Sequence, residues 1–169
     1  GGGPIGLLVA ALARAGGASL VAVSEPNAYR RAMATRLGAD VVLDPAAQPL
    51  TEAIAGPTDG YGADVVFEAV GVPATIEQAI AAAAPGGRVV IVGVTDADAE
   101  ARFRPQEVFW KELTLIGSRE WSYGADRALG WLARLDFAPL ITHTFPLADV
   151  QAAIDLALTG RAGKVLLQP

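Results

Sequence analysis

The first residues whose spacing could do chemistry are three glycines, Gly1, Gly3 and Gly6, which match the pattern G-x-G-x-x-G. Where a strand turns into a helix, such glycines let a pyrophosphate approach the backbone, and the third lets the helix lie close to the sheet. Ile5 and its successors would supply the N–H groups that attract phosphate, because Pro4 has no N–H. The pattern alone is weak in a chain with 19 glycines, and a tag remnant is the alternative interpretation.

An acidic residue at a suitable distance strengthens the interpretation of the glycines. The run "SLVAVSE" reads as a buried strand that ends on Glu25, 19 residues beyond Gly6, and a dinucleotide-binding unit places its ribose-binding acid about 20 residues on. A carboxylate at Glu25 can accept both hydrogen bonds of the adenosine ribose diol and would repel a 2′-phosphate, which favours NAD over NADP. Arg30 is either an adenine-end residue or an ordinary solvated helix charge.

The elements that would position these residues alternate regularly along the chain. Helices are predicted for "IGLLVAALARAGG", from Pro26 and Asn27 to Gly38, from Leu50 to Ala55, for "ATIEQAIAAAA" and from Pro105 to Lys111. Strands are predicted for "SLVAVSE", "VVLD", "DVVFEAV", "RVVIVGV" and "ELTLIGS". Such alternation predicts a doubly wound α/β fold, with a parallel sheet covered on both faces.

The pattern changes after residue 120. A helix near Asp126 to Leu135, a strand "ITHTF", an amphipathic helix and a final strand "KVLLQ" follow; the helix carries one apolar stripe, formed by Leu147, Val150, Ile154 and Leu158. We expect residues 1–120 to form a dinucleotide-binding domain and residues 121–169 to be a segment that returns toward another domain.

Composition excludes several other functions. The net charge of −5 disfavours nucleic acid as a partner, the apolar runs are too short to cross a bilayer, and no secretion signal is visible, so we expect a cytoplasmic protein. With no cysteine and one histidine, His143, the sequence predicts no catalytic residue and no metal ligand in this chain. Trp110, Trp121 and Trp131 are most simply packing residues.

In order and spacing, the runs "GGGPIGLLVAALARAGGA", "VAVSEPNAYRRAMATRLGADVVLDP", "GADVVFEAVGVPATIEQAI", "PGGRVVIVGV" and "KELTLIGS" resemble the cofactor domain of zinc-dependent medium-chain alcohol dehydrogenases. The polyol, butanediol and threonine dehydrogenases are the most similar group. The tail from "PLITHTF" to "GKVLLQP" resembles the family's return into the catalytic domain. The resemblance implies hydride transfer between a small-molecule alcohol or ketone and nicotinamide, with zinc polarising the substrate oxygen.

The resemblance also assigns roles to residues at matching positions. It implies a pyrophosphate loop formed by Gly1, Gly3, Ile5 and Gly6, and an adenosine end formed by Glu25 and Arg30. It implies contacts after the next strand from Val70 and Gly71, and contacts near the nicotinamide from Val92, Gly93, Val94, Gly117 and Ser118. Lys164 would reach the cofactor phosphates, unless it is a solvated charge at a strand start.

The sequence also departs from the family pattern. The family's zinc ligands and the strand before the glycines lie upstream of this motif, so we expect zinc only in a catalytic domain outside this sequence, and a sheet without its first strand. Unpaired buried strand edges are costly, so residues outside this sequence, another chain or direct strand pairing should fill the gap.

Two other functions stay open at this stage. One is a zinc-independent quinone or enoyl reductase of the same fold, although such enzymes usually prefer NADPH and Glu25 speaks against that cofactor. The other is a nucleotide-binding or assembly module without chemistry. The strand near Leu113 to Ser118 predicts a homo-oligomer, most simply a dimer, because an apolar edge strand needs cover.

Overall fold

The computed structural model describes residues 1–119 and 124–169. The α-helices are α1 (Pro4–Ala15), α2 (Ala28–Arg36), α3 (Leu50–Ala55), α4 (Pro73–Ala82), α5 (Pro105–Trp110), α6 (Ala125–Leu132) and α7 (Val150–Leu158). The strands are β1 (Ala22–Ser24), β2 (Val41–Leu43), β3 (Ala63–Glu68), β4 (Ala83–Ile91), β5 (Thr114–Gly117), β6 (Ile141–Pro146) and β7 (Lys164–Gln168). Two 3₁₀ turns, Ala138–Leu140 and Leu147–Asp149, flank β6. None of the helices in the described ranges is long and apolar enough to cross a membrane.

Strand pairing is parallel throughout the described residues, which confirms the predicted α/β class. The strands form three separate sheets, ordered β1-β2, β3-β4-β5 and β6-β7. Because each parallel pair needs a crossover connection, helices alternate with the strands from α1 to β5.

The helix boundaries follow from local chemistry. The side chain of Asn27 caps α2, because its Oδ1 atom accepts hydrogen bonds from the backbone N–H groups of Tyr29 and Arg30 at 2.9 and 3.2 Å. Helix α1 starts with Pro4 at its first position, where a missing N–H costs nothing. After its last turn, Gly17 adopts φ +100°, a left-handed conformation that glycine tolerates.

Two apolar clusters hold the chain together. The first joins Leu7 of α1, Val23 of β1, and Met33 and Ala34 of α2 to Leu140, which lies in the 3₁₀ turn before β6. The second packs α4 on the three-stranded sheet, with Ile80 and Val89 almost completely buried. Since Leu140 belongs to the first cluster, the segment after residue 123 shares a core with the glycine-bearing helix. The predicted boundary between residues 120 and 121 lies within the undescribed residues and stays a prediction.

The gap expected next to the glycines is present. Strands β1 and β3 belong to different sheets, so the option of direct pairing between them is wrong. A cavity of about 440 Å³ opens between them and is lined by Ser24 and Glu25 from one side and by Val66, Phe67 and Glu68 from the other. Helix α3 helps to span the two sheets, because it contacts both β2 and α4.

The start of β4 differs from the prediction. The sequence predicts that the helix continues through its alanines to Ala84. In the structure α4 ends at Ala82 and β4 begins at Ala83. Ala83 pairs with Ala63, and a register shift follows this pair. Pro85 explains the early end, since a residue before proline is disfavoured in the α region. Pairing with β3 then overrides the helical propensity of alanine.

Two of the tryptophans lie in the described residues. Trp110 is 71% exposed and makes an edge-to-face contact with Phe109, so it packs at the surface and not in the core. Trp131 is half-buried beneath the Arg134 guanidinium, whose carbon lies 6.0 Å from the ring centre. Trp121 lies outside the described residues.

An ion pair connects α1 to the residue before β2. Asp40 accepts hydrogen bonds from the Arg14 guanidinium and, at 2.7 Å, from the Val21 N–H. Arg14 also donates to the carbonyl oxygens of Ala18 and Ser19. The Val21 N–H and the Arg14 guanidinium hold the pKa of the Asp40 carboxyl below its usual range.

Candidate cofactor-binding site

The N-terminus of α1 opens onto the cavity between β1 and β3. Gly3 caps the helix, and the Leu7 N–H donates to its carbonyl oxygen at 2.9 Å. Helix geometry therefore leaves the N–H groups of Ile5 and Gly6 without an acceptor inside the helix. A Cβ atom at Gly3 would meet nothing within 4 Å, and Gly3 lines the cavity. The turn thus presents free donors and open space to a negatively charged group.

The glycine turn packs tightly against the end of β3. A Cβ atom at Gly6 would lie 1.9 Å from the Gly1 carbonyl oxygen, and one at Gly1 would lie 2.7 Å from Cγ2 of Val70. The turn is therefore held against the loop that follows β3.

Glu25 is 4% exposed and is tied to the glycine turn. Its Oε2 atom accepts a hydrogen bond from the Gly2 N–H at 2.7 Å, and Oε1 accepts one from the Asn27 N–H at 2.9 Å. A carboxylate has about four lone-pair positions, so each oxygen keeps room for one more donor. Glu25 also lines the cavity. The arrangement lets one side chain fix the turn and accept hydrogen bonds from a diol.

The two neighbouring arginines of α2 differ in their surroundings. Arg31 pairs with Asp44 at 3.0 Å and donates to the carbonyl oxygen of Glu25 at 2.9 Å, so its charge is used within the protein. Arg30 lines the cavity, and its buried Nε atom has no hydrogen-bond partner among the described residues. A buried donor without an acceptor is unfavourable. Arg30 is therefore the arginine that could serve a ligand in the cavity.

The cavity between β1 and β3 brings together five of the residues predicted from the sequence. They are Gly1, Gly3, Glu25, Arg30 and Val70. The cavity has backbone N–H donors at one side, an acid and an arginine nitrogen without a partner at the other, and apolar walls between them. This arrangement can hold an anionic group joined to a sugar.

Glu68 is a site residue that the sequence analysis missed. It is 3% exposed at the carboxyl end of β3, and its Oε1 atom accepts hydrogen bonds from the N–H groups of Val70 and Gly71 and from the Thr75 hydroxyl. The run "DVVFEAV" was interpreted only as a buried strand. The charged residue inside this apolar run is the signal that indicates a site residue, because buried carboxylates are rare unless they have partners.

A second cavity, of about 450 Å³, lies at the ends of β4 and β5. Its walls are formed by Val92, Gly93, Val94, Thr95, Ser118 and Arg119. Gly71 and Gly93 join this region to the loop after β3, because a Cβ atom at Gly93 would lie 2.2 Å from the Gly71 nitrogen. The predicted groups after β3 and after β4 are thus brought into direct contact.

Other predicted residues line neither cavity. Ile5 is 55% exposed, and Gly6 packs against the Gly1 carbonyl oxygen. Gly117 is the last residue of the exposed strand β5, and Lys164 is exposed at the start of β7. Their roles toward a cofactor stay predictions. His143 contacts the Thr142 hydroxyl at 2.9 Å. Within the described ranges, no three His, Cys, Asp or Glu side chains cluster in a way that could hold a metal ion.

A cavity at the carboxyl ends of parallel strands, facing a glycine turn and a strand-end acid, is the arrangement that dinucleotide-binding units share. Residues 4–134 match the family model of the zinc-binding dehydrogenases, and the chain belongs to that family. It is 37% identical, over 99% of its length, to an L-threonine 3-dehydrogenase from Caldanaerobacter subterraneus, of which it covers 49%.

Solved structures show the same relationship. A zinc-binding dehydrogenase from Sinorhizobium meliloti, bound to NADP, has a TM-score of 0.92 and 34% identity, covering 99% of this chain and 50% of that one. An alcohol dehydrogenase from E. coli, complexed with NADH, has a TM-score of 0.89 and 28% identity, covering 100% of this chain and 50% of that one. The chain thus spans about half the length of the relatives it matches.

Proposed function

We propose that this chain is the NAD(H)-binding part of a zinc-dependent alcohol or polyol dehydrogenase, which moves a hydride between a small-molecule alcohol and nicotinamide. The single observation that carries the proposal is the cavity between β1 and β3, where Gly3, Glu25 and Arg30 meet. Family membership and the likeness to the threonine dehydrogenase support the reaction class. When bound, the dinucleotide would supply the hydride acceptor or donor.

The residues of this chain have separate tasks in the proposal. The N–H groups of Ile5 and Gly6 bind the pyrophosphate, and the space beside Gly3 admits it. Glu25 accepts hydrogen bonds from the adenosine ribose, and Arg30 contacts the adenosine end with the Nε donor that has no partner in the described chain. Val92, Gly93, Val94 and Ser118 form the wall for the nicotinamide end. Lys164 contributes charge toward the phosphates.

We propose NAD rather than NADP as the cofactor. Glu25 is buried and each of its oxygens already accepts a backbone N–H, so the carboxylate is fixed in position. A fixed negative charge at that position would repel a 2′-phosphate. The Sinorhizobium relative bound to NADP shows that the family does not dictate the choice, so it depends on this residue.

The proposal extends to assembly and location. β5 is the outer strand of its sheet and is exposed along its length, which supports a homo-oligomer, most simply a dimer, formed through residues 113–118. The zinc ligands are proposed to lie in residues outside this sequence, together with the substrate pocket. Cytoplasmic location stays a prediction.

Cofactor binding is tested by following nicotinamide fluorescence while the full-length protein is titrated with NADH. We compare Gly3→Ala with Gly130→Ala, because a Cβ atom would meet nothing within 4 Å at either position but only Gly3 lines the cavity. Wild type and Gly130→Ala should bind, and Gly3→Ala should bind at least about tenfold more weakly if the added methyl group blocks the phosphate. Equal binding by the two variants would contradict the placement of the pyrophosphate.

A further inference from the structure

Glu68 makes more loop contacts than a strand residue needs. Its Oε1 atom accepts hydrogen bonds from the Val70 N–H at 2.7 Å, the Gly71 N–H at 2.9 Å and the Thr75 hydroxyl at 2.8 Å. One carboxylate oxygen thus holds both the turn after β3 and the first turn of α4. Charge-assisted hydrogen bonds of this kind are stronger than neutral ones, so the turn is firmly held.

The backbone of the same residue holds the loop after β4. The Glu68 carbonyl oxygen accepts hydrogen bonds from the N–H groups of Val92 and Gly93 at 2.8 and 3.0 Å. Gly71, at φ +85°, packs so closely against the loop after β4 that a Cβ atom there would lie 2.3 Å from the Val94 carbonyl oxygen. A Cβ atom at Gly93 would lie 2.2 Å from the Gly71 nitrogen. The two loops are therefore interlocked, with Glu68 bonded to both of them.

The second carboxylate oxygen has no structural role in the described chain. Oε2 of Glu68 is buried and has no hydrogen-bond partner among the described residues, and it lies 2.6 Å from where a Cβ atom at Gly93 would be. Burying a carboxylate oxygen without a partner is costly, and an apolar core would avoid that cost. A glutamate at this position is therefore explained better by the loops that it shapes than by stability.

We infer that Glu68 is a positioning residue for the nicotinamide half of the cofactor: it holds residues 69–71 and 92–94 in the shape that this half requires. The inference rests on the proposed function. Glu68 also lines the cavity that holds Glu25 and Arg30, but its side-chain hydrogen bonds go to the loop after β3 and to α4 and not to those two residues. Its removal should therefore weaken contacts at the nicotinamide end while leaving the adenosine end unchanged.

The test measures affinities for NADH and for AMP, which carries only the adenosine half, in the full-length protein. Glu68→Ala should bind NADH about ten- to a hundredfold more weakly than wild type, since several hydrogen bonds to a charged group are lost, with unchanged affinity for AMP. Glu68→Gln keeps an acceptor oxygen and should restore NADH affinity most of the way. Glu100→Ala removes an exposed carboxylate that lines neither cavity and is the matched control.

Three results would overturn the inference: unchanged NADH affinity in Glu68→Ala, an equal loss of AMP and NADH affinity, or a Gln variant as weak as the Ala variant. If Glu68→Ala does not fold, Thr75→Val decides, because it removes one of the three hydrogen bonds and should weaken NADH but not AMP. Thr75→Val with NADH affinity unchanged would also overturn it. A wild-type protein that binds neither NADH nor AMP would instead contradict the proposed function itself.

Discussion

The Oε2 atom of Glu25 lies 2.7 Å from the backbone nitrogen of Gly2 and accepts its hydrogen bond. The contact joins two residues 23 positions apart in the chain, the acid that ends β1 and the turn that begins α1. It also places the acid within reach of the same cavity that Gly3 lines. Under the proposed function, the contact with the ribose and the shape of the glycine turn therefore depend on one side chain.

The first prediction concerns the stability that this contact gives. Glu25→Ala would leave the buried N–H groups of Gly2 and Asn27 without their acceptor, so unfolding should become easier by about 1–3 kcal/mol. Chemical denaturation of the full-length protein measures the change. Glu52→Ala, at an exposed position in α3, is the control and should change stability by less than about 0.5 kcal/mol. Equal stabilities of the two variants would show that the hydrogen bonds contribute nothing.

Gly6 should tolerate no side chain. In Gly6→Ala the new Cβ atom would lie 1.9 Å from the Gly1 carbonyl oxygen, and because both are backbone-anchored the turn must shift. We expect a loss of about 2–3 kcal/mol in stability, as for other overpacked sites. Gly3→Ala, whose Cβ atom would meet open space, should lose less than about 1 kcal/mol. Thermal unfolding measures both, and similar melting temperatures would argue against the tight turn.

Asp40 should make the free energy of unfolding fall at acidic pH. The Val21 N–H and the Arg14 guanidinium keep the pKa of Asp40 below its unfolded value near about 3.9, so the stability from this group is fully present above that pH. That stability is lost as the pH falls from about 4 through the lower folded pKa. Asp40→Asn should flatten this acid limb in melts between about pH 2 and pH 6. Asp98→Asn, in an exposed turn, should keep the wild-type slope, and identical slopes for both variants would contradict the prediction.

Leu140 should couple the last segment to the first core. The side chain is 4% exposed and packs with Leu7 and Met33, so Leu140→Ala should cost about 2–5 kcal/mol. Leu158→Ala, in α7 at 80% exposure, is the control of the same chemistry. Denaturation followed by far-ultraviolet circular dichroism should show one transition shifted to lower denaturant. An unshifted midpoint would indicate that the segment contributes nothing to the core.

Local chemistry explains which elements the sequence could predict. Helix α3 and strand β7 have the predicted limits, Leu50–Ala55 and Lys164–Gln168, because proline and glycine bound them. The start of β4 depended on pairing with Ala63, a distant residue that no local pattern reveals. The apolar stripe of α7 was predicted, yet Leu147, Val150, Ile154 and Leu158 are all at least 40% exposed, since the periodicity of a helix does not say what covers its apolar face.

Residue spacing predicted part of the candidate site. Glycines before a helix and an acid about 20 residues on predict a phosphate-binding turn and a ribose contact. The structure brings Gly3, Glu25 and Arg30 to one cavity, and the ribose contact itself stays a prediction. The hydrogen bond from Gly2 to Glu25 and the loop contacts of Glu68 could not be predicted from the sequence. Each joins a carboxylate to backbone N–H groups, and any residue type could supply such an N–H group. Glu68 and Glu25 nevertheless share one signal: each is a buried acid at the end of a parallel strand.

Calorimetric titration of the full-length protein with NADH and NADPH, for wild type and Glu25→Gln, tests the central claim most directly. We predict that wild type binds NADH at least about tenfold more tightly than NADPH, and that Glu25→Gln reduces this preference because the fixed charge is gone. Wild-type protein that binds neither nucleotide, or that prefers NADPH, would contradict the account.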